Sequence, residues 1–159
     1  TGRLDQVSRG VYTLPEVWED AFVSIQERYK RGVFALDTAL FLHDLTDRTP
    51  HKFHMAFPYG YNTSSPKAAG ILCSCKKEPY YSLGIALVDT PAGNTVRVYN
   101  AEKTLCEILK PISHTDIQII TDAFKRYAGR KDKNIPLLSE YAHQLRVEKR
   151  LRPYLEVLL

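Results

Sequence analysis

Histidines and carboxylates gather in one short stretch of the chain, where they could form a metal site. The residues are His43, Asp44, Asp47, His51 and His54. Imidazole and carboxylate groups are both common zinc ligands. Apolar alternation from Phe53 to Phe57 predicts a strand here, and residues three apart on a strand point to opposite faces, so His51 and His54 would diverge. We expect structural or solvated roles for these side chains, with no metal site and no cofactor.

Three cysteines offer sulfur ligands. Cys73 and Cys75 share one face of a predicted strand, but no second pair follows them, which disfavours a zinc ribbon. Cys106 lies beside Leu105 in a predicted helix and is expected in the core. An odd number of cysteines, with no secretion leader at the start of the chain, favours a reduced, cytoplasmic protein.

A metal-dependent nuclease of the restriction type would need an Asp on one strand and Glu-x-Lys on the next. Asp89 and the pair Glu102-Lys103 come near this pattern, but Glu102 and Lys103 are adjacent in a predicted helix, so their side chains would diverge. Gly-x-Ser-x-Gly, Walker A and Gly-x-Gly-x-x-Gly motifs do not occur. We expect a non-enzymatic protein. A degenerate or active nuclease-like domain that uses Asp89 and Glu102 is the alternative from another class.

The basic side chains are more informative. One cluster gathers at the end of a predicted helix and in the loop after it, with Asp122 and Asp132 as its local acids. Positive charge stabilises a helix C-terminus, so a solvated helix end is one interpretation, and contact with nucleic-acid phosphates is the other. The net charge of +4 permits a nucleic-acid partner without requiring one. The cluster comprises Lys125, Arg126, Arg130, Lys131 and Lys133, and Arg146, Lys149, Arg150 and Arg152 could extend it into one basic face.

The elements that must position these groups are organised around the stretch from Asn94 to Leu109. Val96 and Val98 alternate with polar residues, which predicts a strand, and Leu105 and Ile108 then take up helical spacing. The change of period falls at Asn100, a favourable residue for a helix N-cap. We predict a strand that leads directly into a helix at the centre of the core.

The rest of the pattern predicts one α+β domain in this chain of 159 residues. Its central sheet has about four strands, is mostly antiparallel and is arranged as a meander, with helices before and after it. No run of about 18 apolar residues occurs, so no membrane span is expected. A wing-like β-hairpin at Leu4 to Leu14 precedes the domain. The predicted helices cover 15–31, 36–44, 115–129 and 134–145, with a last apolar stripe at 151–158, and the predicted strands cover 53–57, 71–76, 83–89 and 95–99.

Several details of these elements are also predicted. Val33-Phe34 is expected to be a brief extended piece, and Ser113 or Thr115 is expected to cap the helix at 115–129. The inward stripe of that helix comprises Ile117, Ile120, Phe124 and Tyr127, with Lys125 and Arg126 facing away. Leu138, Tyr141 and Leu145 are expected to face inward in the next helix. Pro153 must either begin a new helix or kink the last one.

Several stretches, taken together, resemble the AbiEi family, the antitoxin component of the AbiE (type IV) toxin–antitoxin systems of bacteria. The likeness covers nearly the whole chain. Its most specific stretches are Val7-Ser8-Arg9-Gly10-Val11-Tyr12, Thr38 to His43 with Leu45-Thr46-Asp47-Arg48, Phe57-Pro58-Tyr59-Gly60-Tyr61, Asn94 to Leu109, and Asp116 to Leu145.

The resemblance implies a division into residues 1–15, the remnant of an N-terminal winged helix-turn-helix, and residues 16–159, the C-terminal domain. It implies an antitoxin that represses its own operon by binding inverted repeats in promoter DNA. It also implies antagonism of a nucleotidyltransferase-like toxin, AbiEii, without a stable complex. The expected DNA-contacting residues are Arg9 at the wing tip together with Lys125, Arg126, Arg130, Lys131 and Lys133. A plain DNA-binding transcriptional regulator is the alternative, and the Tyr59 to Pro66 loop is a second candidate recognition surface.

Overall fold

The computed structural model describes residues 20–158, with side chains to residue 156. The predicted hairpin from Leu4 to Leu14, Arg9 and the domain boundary after residue 15 lie outside the described residues. Helices and strands in the described part confirm the α+β class. The helices are α1 (Ala21–Arg28), α2 (Leu36–Leu42), α3 (Ser64–Ala68), α4 (Ala101–Ile108), α5 (Ile117–Ala128), α6 (Ile135–Leu145) and α7 (Glu148–Leu158), and the strands are β1 (Val33–Phe34), β2 (His54–Pro58), β3 (Leu72–Lys76), β4 (Ile85–Asp89) and β5 (Thr95–Tyr99).

The five strands form one mixed sheet in the order β3-β2-β1-β5-β4. The β1/β2 and β4/β5 pairs are antiparallel, whereas β1/β5 and β2/β3 are parallel. The predicted meander is therefore wrong, and the sheet is not mostly antiparallel. Helix α3 carries the chain back between β2 and β3, and such a crossover makes the next strand parallel. Strand β1, which was predicted as a brief extended piece, inserts between β2 and β5, and its two buried residues are too few to predict that pairing.

The two faces of the sheet meet different helices. Phe34, Met55 and Val98 point to the face that packs with α1 and α2, where Phe22 and Phe34 meet edge to face. Val33, Ala56 and Tyr99 form the opposite face. This alternation follows from the period of two along each strand. Gly32 allows the chain to enter β1, because a Cβ there would lie 2.5 Å from the Cε of Met55.

Helix α4 is the centre of the helical layer, as the sequence predicted. All eight of its residues are buried. Asn100 caps it by accepting a hydrogen bond of 2.9 Å from the Lys103 backbone N–H. Leu105 and Cys106 are fully buried among residues of α5, α6 and α7, so the prediction of a core cysteine is confirmed. Burial raises the pKa of the Cys106 thiol to about 12.

The ends of the later helices differ slightly from prediction. Asp116, not Ser113 or Thr115, caps α5 by accepting from the Gln118 N–H at 2.8 Å, because the two predicted hydroxyls bond each other at 2.9 Å. Ile117 is 63% exposed, so the apolar stripe of α5 starts one turn later than predicted. Of the two alternatives for Pro153, the start of a new helix is wrong, because α7 runs through this residue. Between residues 20 and 158, no helix has the length and apolar character needed to cross a membrane.

Candidate nucleic-acid interface

The predicted cluster at the end of α5 is largely engaged in internal contacts. Arg126 donates through Nε to Oδ2 of Asp122 at 2.8 Å, and its Nη2 lies 3.8 Å from Oδ2 of Asp47. The first contact is the i, i+4 pair that helix geometry favours. Arg126 thus links α5 to the loop after α2, and its charge is balanced locally by two carboxylates.

Arg130 and Lys133 hold the loop between α5 and α6. Arg130 donates through Nε and Nη2 to both carboxylate oxygens of Asp132 at 2.9 Å, and through Nη1 to the His43 carbonyl at 2.8 Å. The bidentate pair lowers the pKa of the Asp132 carboxyl and raises the pKa of Arg130. Lys133 donates through Nζ to the Ala128 carbonyl at 2.8 Å, near the C-terminal end of α5. The hydrogen bonds of these two side chains stabilise the loop between α5 and α6.

Lys125 and Lys131 complete the predicted cluster and are different. Both are exposed. Within the part of the chain that the structure describes, neither makes an ion pair or a side-chain hydrogen bond. Two of the five side chains, Lys125 and Lys131, therefore have no internal partner, while Lys133 is exposed and bonds only a backbone carbonyl.

A second group of cations lies at the turn between α6 and α7. We call Arg146, Lys149 and Arg150 the turn patch. All three are exposed and line one shallow hollow. The acid beside them, Glu148, contacts His143 at 3.2 Å, and among residues 20–158 no carboxylate forms an ion pair with the turn patch. Three cations thus share a small area of surface.

Helix α6 separates the two groups. Lys131 and Lys133 precede its N-cap, Asn134, whereas Arg146 is its C-cap. Eleven helical residues span about 16 Å. The single basic face suggested by the sequence is therefore two separate patches at opposite ends of α6.

The local backbone accounts only in part for the turn patch. Arg146 is the C-cap of α6, where the dipole of α6 favours its charge, but its backbone conformation is unfavourable. Arg146 adopts the left-handed conformation, with φ 62°, and the Val147 N–H bonds the Ala142 carbonyl at 2.9 Å to close α6. Glycine is the usual residue at such a position, and another residue costs about 1 kcal/mol. Lys149 and Arg150 occupy the first turn of α7, where the helix dipole disfavours positive charge. By contrast, Lys125 sits in the last turn of α5, where the dipole favours it.

Two histidines of the candidate metal cluster, His43 and His54, point into the fold, whereas His51 is exposed. His43 Nε2 lies 2.8 Å from the Tyr99 carbonyl, and His54 Nε2 lies 3.3 Å from Oγ of Ser74. Burial lowers the pKa of both imidazoles, that of His54 to about 4. In the described region, no three His, Cys, Asp or Glu side chains are close enough to share a metal ion.

The residues that a nuclease-like site would use, Asp89, Glu102 and Lys103, also lie apart from one another. Glu102 accepts from the Tyr127 hydroxyl at 2.6 Å. Lys103 Nζ contacts the Tyr80 carbonyl and lies 3.5 Å from the centroid of the Tyr99 ring, and burial lowers its pKa to about 8. Asp89 pairs with Thr95, at the end of β5 away from α4. Asp89 and Glu102 therefore lie about 13 Å or more apart along β5, too far to hold one metal ion.

An ion pair that sequence reasoning missed joins α4 to β3. Lys76 Nζ lies 2.9 Å from Oε2 of the buried Glu107. The other oxygen of Glu107, Oε1, is buried and has no hydrogen-bond partner among the described residues. No local pattern predicts a contact between residues 31 positions apart, although a Glu on the apolar side of a predicted helix was a signal that a partner was needed.

The comparisons with known proteins add no support to the resemblance, which rests on the quoted stretches alone. The stretches quoted for it that fall within the described part form α2 and the loop after it, the end of β2, the β5–α4 unit, and α5 with α6. These are elements that build the core and hold the loop between α5 and α6. No protein-family model matches the chain, and no curated protein matches it either.

Proposed function

We propose that this chain is a non-enzymatic nucleic-acid-binding domain whose turn patch contacts phosphates. The turn patch is the observation that supports this proposal. Arg146, Lys149 and Arg150 are exposed and unpaired within the described residues. The dipole of α7 disfavours the charges of Lys149 and Arg150, and the backbone of Arg146 is left-handed. Clustered, exposed and unpaired cations are what phosphate contact requires. Between Pro111 and Leu158 the sequence carries nine basic and six acidic residues, so the surrounding field is positive.

In full, the proposed function is that of the C-terminal domain of an AbiEi-like antitoxin in the bacterial cytoplasm. Promoter DNA with inverted repeats is the proposed partner, and repression of its own operon is the proposed consequence. Antagonism of a nucleotidyltransferase-like toxin proceeds without a stable complex. This part of the proposal rests on the sequence resemblance alone, and a plain transcriptional regulator is the second candidate.

The DNA proposal is tested by measuring affinity for promoter duplex as a function of salt. We expect the triple variant Arg146→Gln, Lys149→Gln, Arg150→Gln to bind more weakly and to flatten the slope of log K against log[salt] by about 2.7, which is about 0.9 for each lost phosphate contact. The variant Lys125→Gln, Lys131→Gln measures the other patch and is expected to flatten the slope by at most about 1.8.

The control for this experiment removes the same charge elsewhere. Lys30, Lys52 and Lys67 are exposed and lie outside both patches. Their triple glutamine variant lowers the net charge by the same amount. We expect little change in its slope, because none of the three lysines belongs to a patch. Equal slopes for the control and the turn-patch variant would mean that net charge alone governs binding, and the turn patch would then not be the interface.

The antitoxin role is tested by growth rescue. The chain is co-expressed with a nucleotidyltransferase-like toxin of the AbiEii type, and surviving cells are counted. Rescue by the chain supports the antitoxin assignment, and rescue by the turn-patch triple variant as well would separate that role from DNA contact. Failure of the chain to rescue, with promoter binding retained, would favour the plain regulator.

A further inference from the structure

A second concave site lies on the molecule, away from the turn patch. It is a cleft of about 360 Å³ between the start of α2, the loop after α2 and the first turn of α5. That volume is within the range of pockets that hold small molecules, about 300 to 1,000 Å³. Ile119 and Pro50, which are both half-buried, supply an accessible apolar surface within it.

The polar groups of the cleft are of two kinds. Arg48 and His51 are exposed side chains that can donate hydrogen bonds, and among the described residues Arg48 forms no ion pair. Asp37, in the first turn of α2, brings a carboxylate that is half-buried, and this burial raises its pKa. A guanidinium without an internal partner is suited to bind an anion. The carboxylate is suited to accept hydrogen bonds from neutral donors.

Two hydroxyl groups add further capacity. Thr46 is buried, and its Oγ1 accepts from the Arg48 backbone N–H at 3.1 Å, which leaves its hydroxyl hydrogen available as a donor. Thr49 is exposed in the same cleft. The Thr46 hydrogen bond also fixes the backbone from which the Arg48 side chain extends.

We propose that this cleft binds a small phosphate monoester with a flat, partly apolar body, the chemistry of a nucleoside monophosphate. Arg48 and His51 contact the phosphate, the base or an equivalent ring lies on Ile119 and Pro50, and Asp37 accepts from a hydroxyl or amino group of the body. This inference goes beyond DNA contact and does not depend on it, because none of these residues belongs to the turn patch.

Isothermal titration calorimetry of the 159-residue chain with adenosine 5′-monophosphate tests the proposal. We expect saturable binding with one site. Arg48→Gln weakens it by about tenfold or more, because a charge-assisted hydrogen bond contributes about 1.5 to 3 kcal/mol. Ile119→Phe fills the cleft and removes binding of both the nucleotide and adenosine, and a urea unfolding curve shows that the variant is folded. Adenosine alone binds more weakly than the nucleotide and is insensitive to Arg48→Gln.

Two controls decide where the nucleotide binds. Lys52→Gln removes an exposed charge next to His51 without touching the lining of the cleft, and it leaves the affinity within about twofold. The turn-patch triple variant also leaves nucleotide affinity unchanged, which separates this site from the proposed DNA contact. An absence of saturable binding, an equal loss with Arg48→Gln and Lys52→Gln, or competition by inorganic phosphate at the same concentration as the nucleotide would overturn the proposal.

Discussion

Several single residues of this protein adopt backbone conformations that lower its local stability. Arg146 is the clearest case, because it closes α6 in a left-handed conformation where a residue without a Cβ fits best. Leu36, Asp44 and His114 also have positive φ. Asp44 ends α2 in the same way, but aspartate tolerates the conformation through its short polar side chain. An arginine has no such advantage, which agrees with a role for its guanidinium outside the fold.

Paired substitutions at Arg146 separate charge from backbone strain. Arg146→Gly and Arg146→Ala remove the same guanidinium, so we expect them to weaken DNA binding equally. Glycine relieves the left-handed strain and alanine does not, so the glycine variant should be more stable to urea by about 1 kcal/mol. Unequal loss of DNA binding would show that the geometry of the turn, and not the charge, contacts the nucleic acid.

At the scale of elements, α4 joins the sheet to the helices α5 to α7. It does so while burying three charged residues, each of which has a partner on another element. Glu102 meets Tyr127 of α5, Lys103 meets the Tyr80 carbonyl before β4, and Glu107 meets Lys76 of β3. Buried charges are tolerated only when paired, and these contacts therefore fix how α4 is seated on its neighbours.

The Lys76–Glu107 pair gives a test of this seating. Lys76→Met leaves the carboxylate of Glu107 buried without its cation, so we expect a loss of about 3 kcal/mol in the free energy of unfolding. Lys76→Met with Glu107→Leu removes both charges and should recover most of that loss. Lys77→Met, at the neighbouring exposed lysine, should change stability by less than about 1 kcal/mol. Urea denaturation measures all three, and a double variant no more stable than Lys76→Met would exclude charge burial as the cause.

For the whole molecule, the buried imidazoles couple protonation to unfolding. His54 faces Lys76, which lowers its pKa further, and Glu107, which raises it, while burial has the largest effect. The native protein takes up a proton at His54 only near pH 4, whereas the unfolded chain does so near 6.5. Between these values the unfolded state binds more protons, so this histidine makes stability increase as the pH rises from 4 to 6.5.

His54→Gln tests this linkage, because glutamine retains a hydrogen-bonding side chain beside Ser74 and cannot titrate. We expect the free energy of unfolding of the wild-type protein to depend more steeply on pH than that of the variant between pH 4 and 6.5. The difference in slope reaches at most about 1.4 kcal/mol per pH unit. Urea denaturation at several pH values measures it, and parallel profiles would mean that His54 titrates alike in both states.

The local sequence pattern was sufficient to predict much of the fold. The β5–α4 unit with its Asn100 cap, the burial of Cys106 and the inward residues Leu138, Tyr141 and Leu145 of α6 were all predicted and are confirmed. Each of these features depends on the hydrophobic period or on a capping side chain within a few residues, which the chain encodes locally. The exposure of Lys125 and Arg126 on α5 belongs to the same class.

Only the tertiary structure decided which strands pair and which charges remain unpaired. Strand β1 was predicted as a brief extended piece, but its sequence did not show that it occupies the middle of the sheet. Arg130 and His43 are 87 residues apart, so no local rule could show that this arginine fastens a loop while Lys131 beside it faces solvent. The sequence by itself determined most helices, most strands and the excess of positive charge, whereas α3 lies partly in the stretch that was predicted as a loop. The division of that charge into two patches, and the cleft beside Arg48, arose from packing between distant segments, because long-range contacts depend on the whole chain.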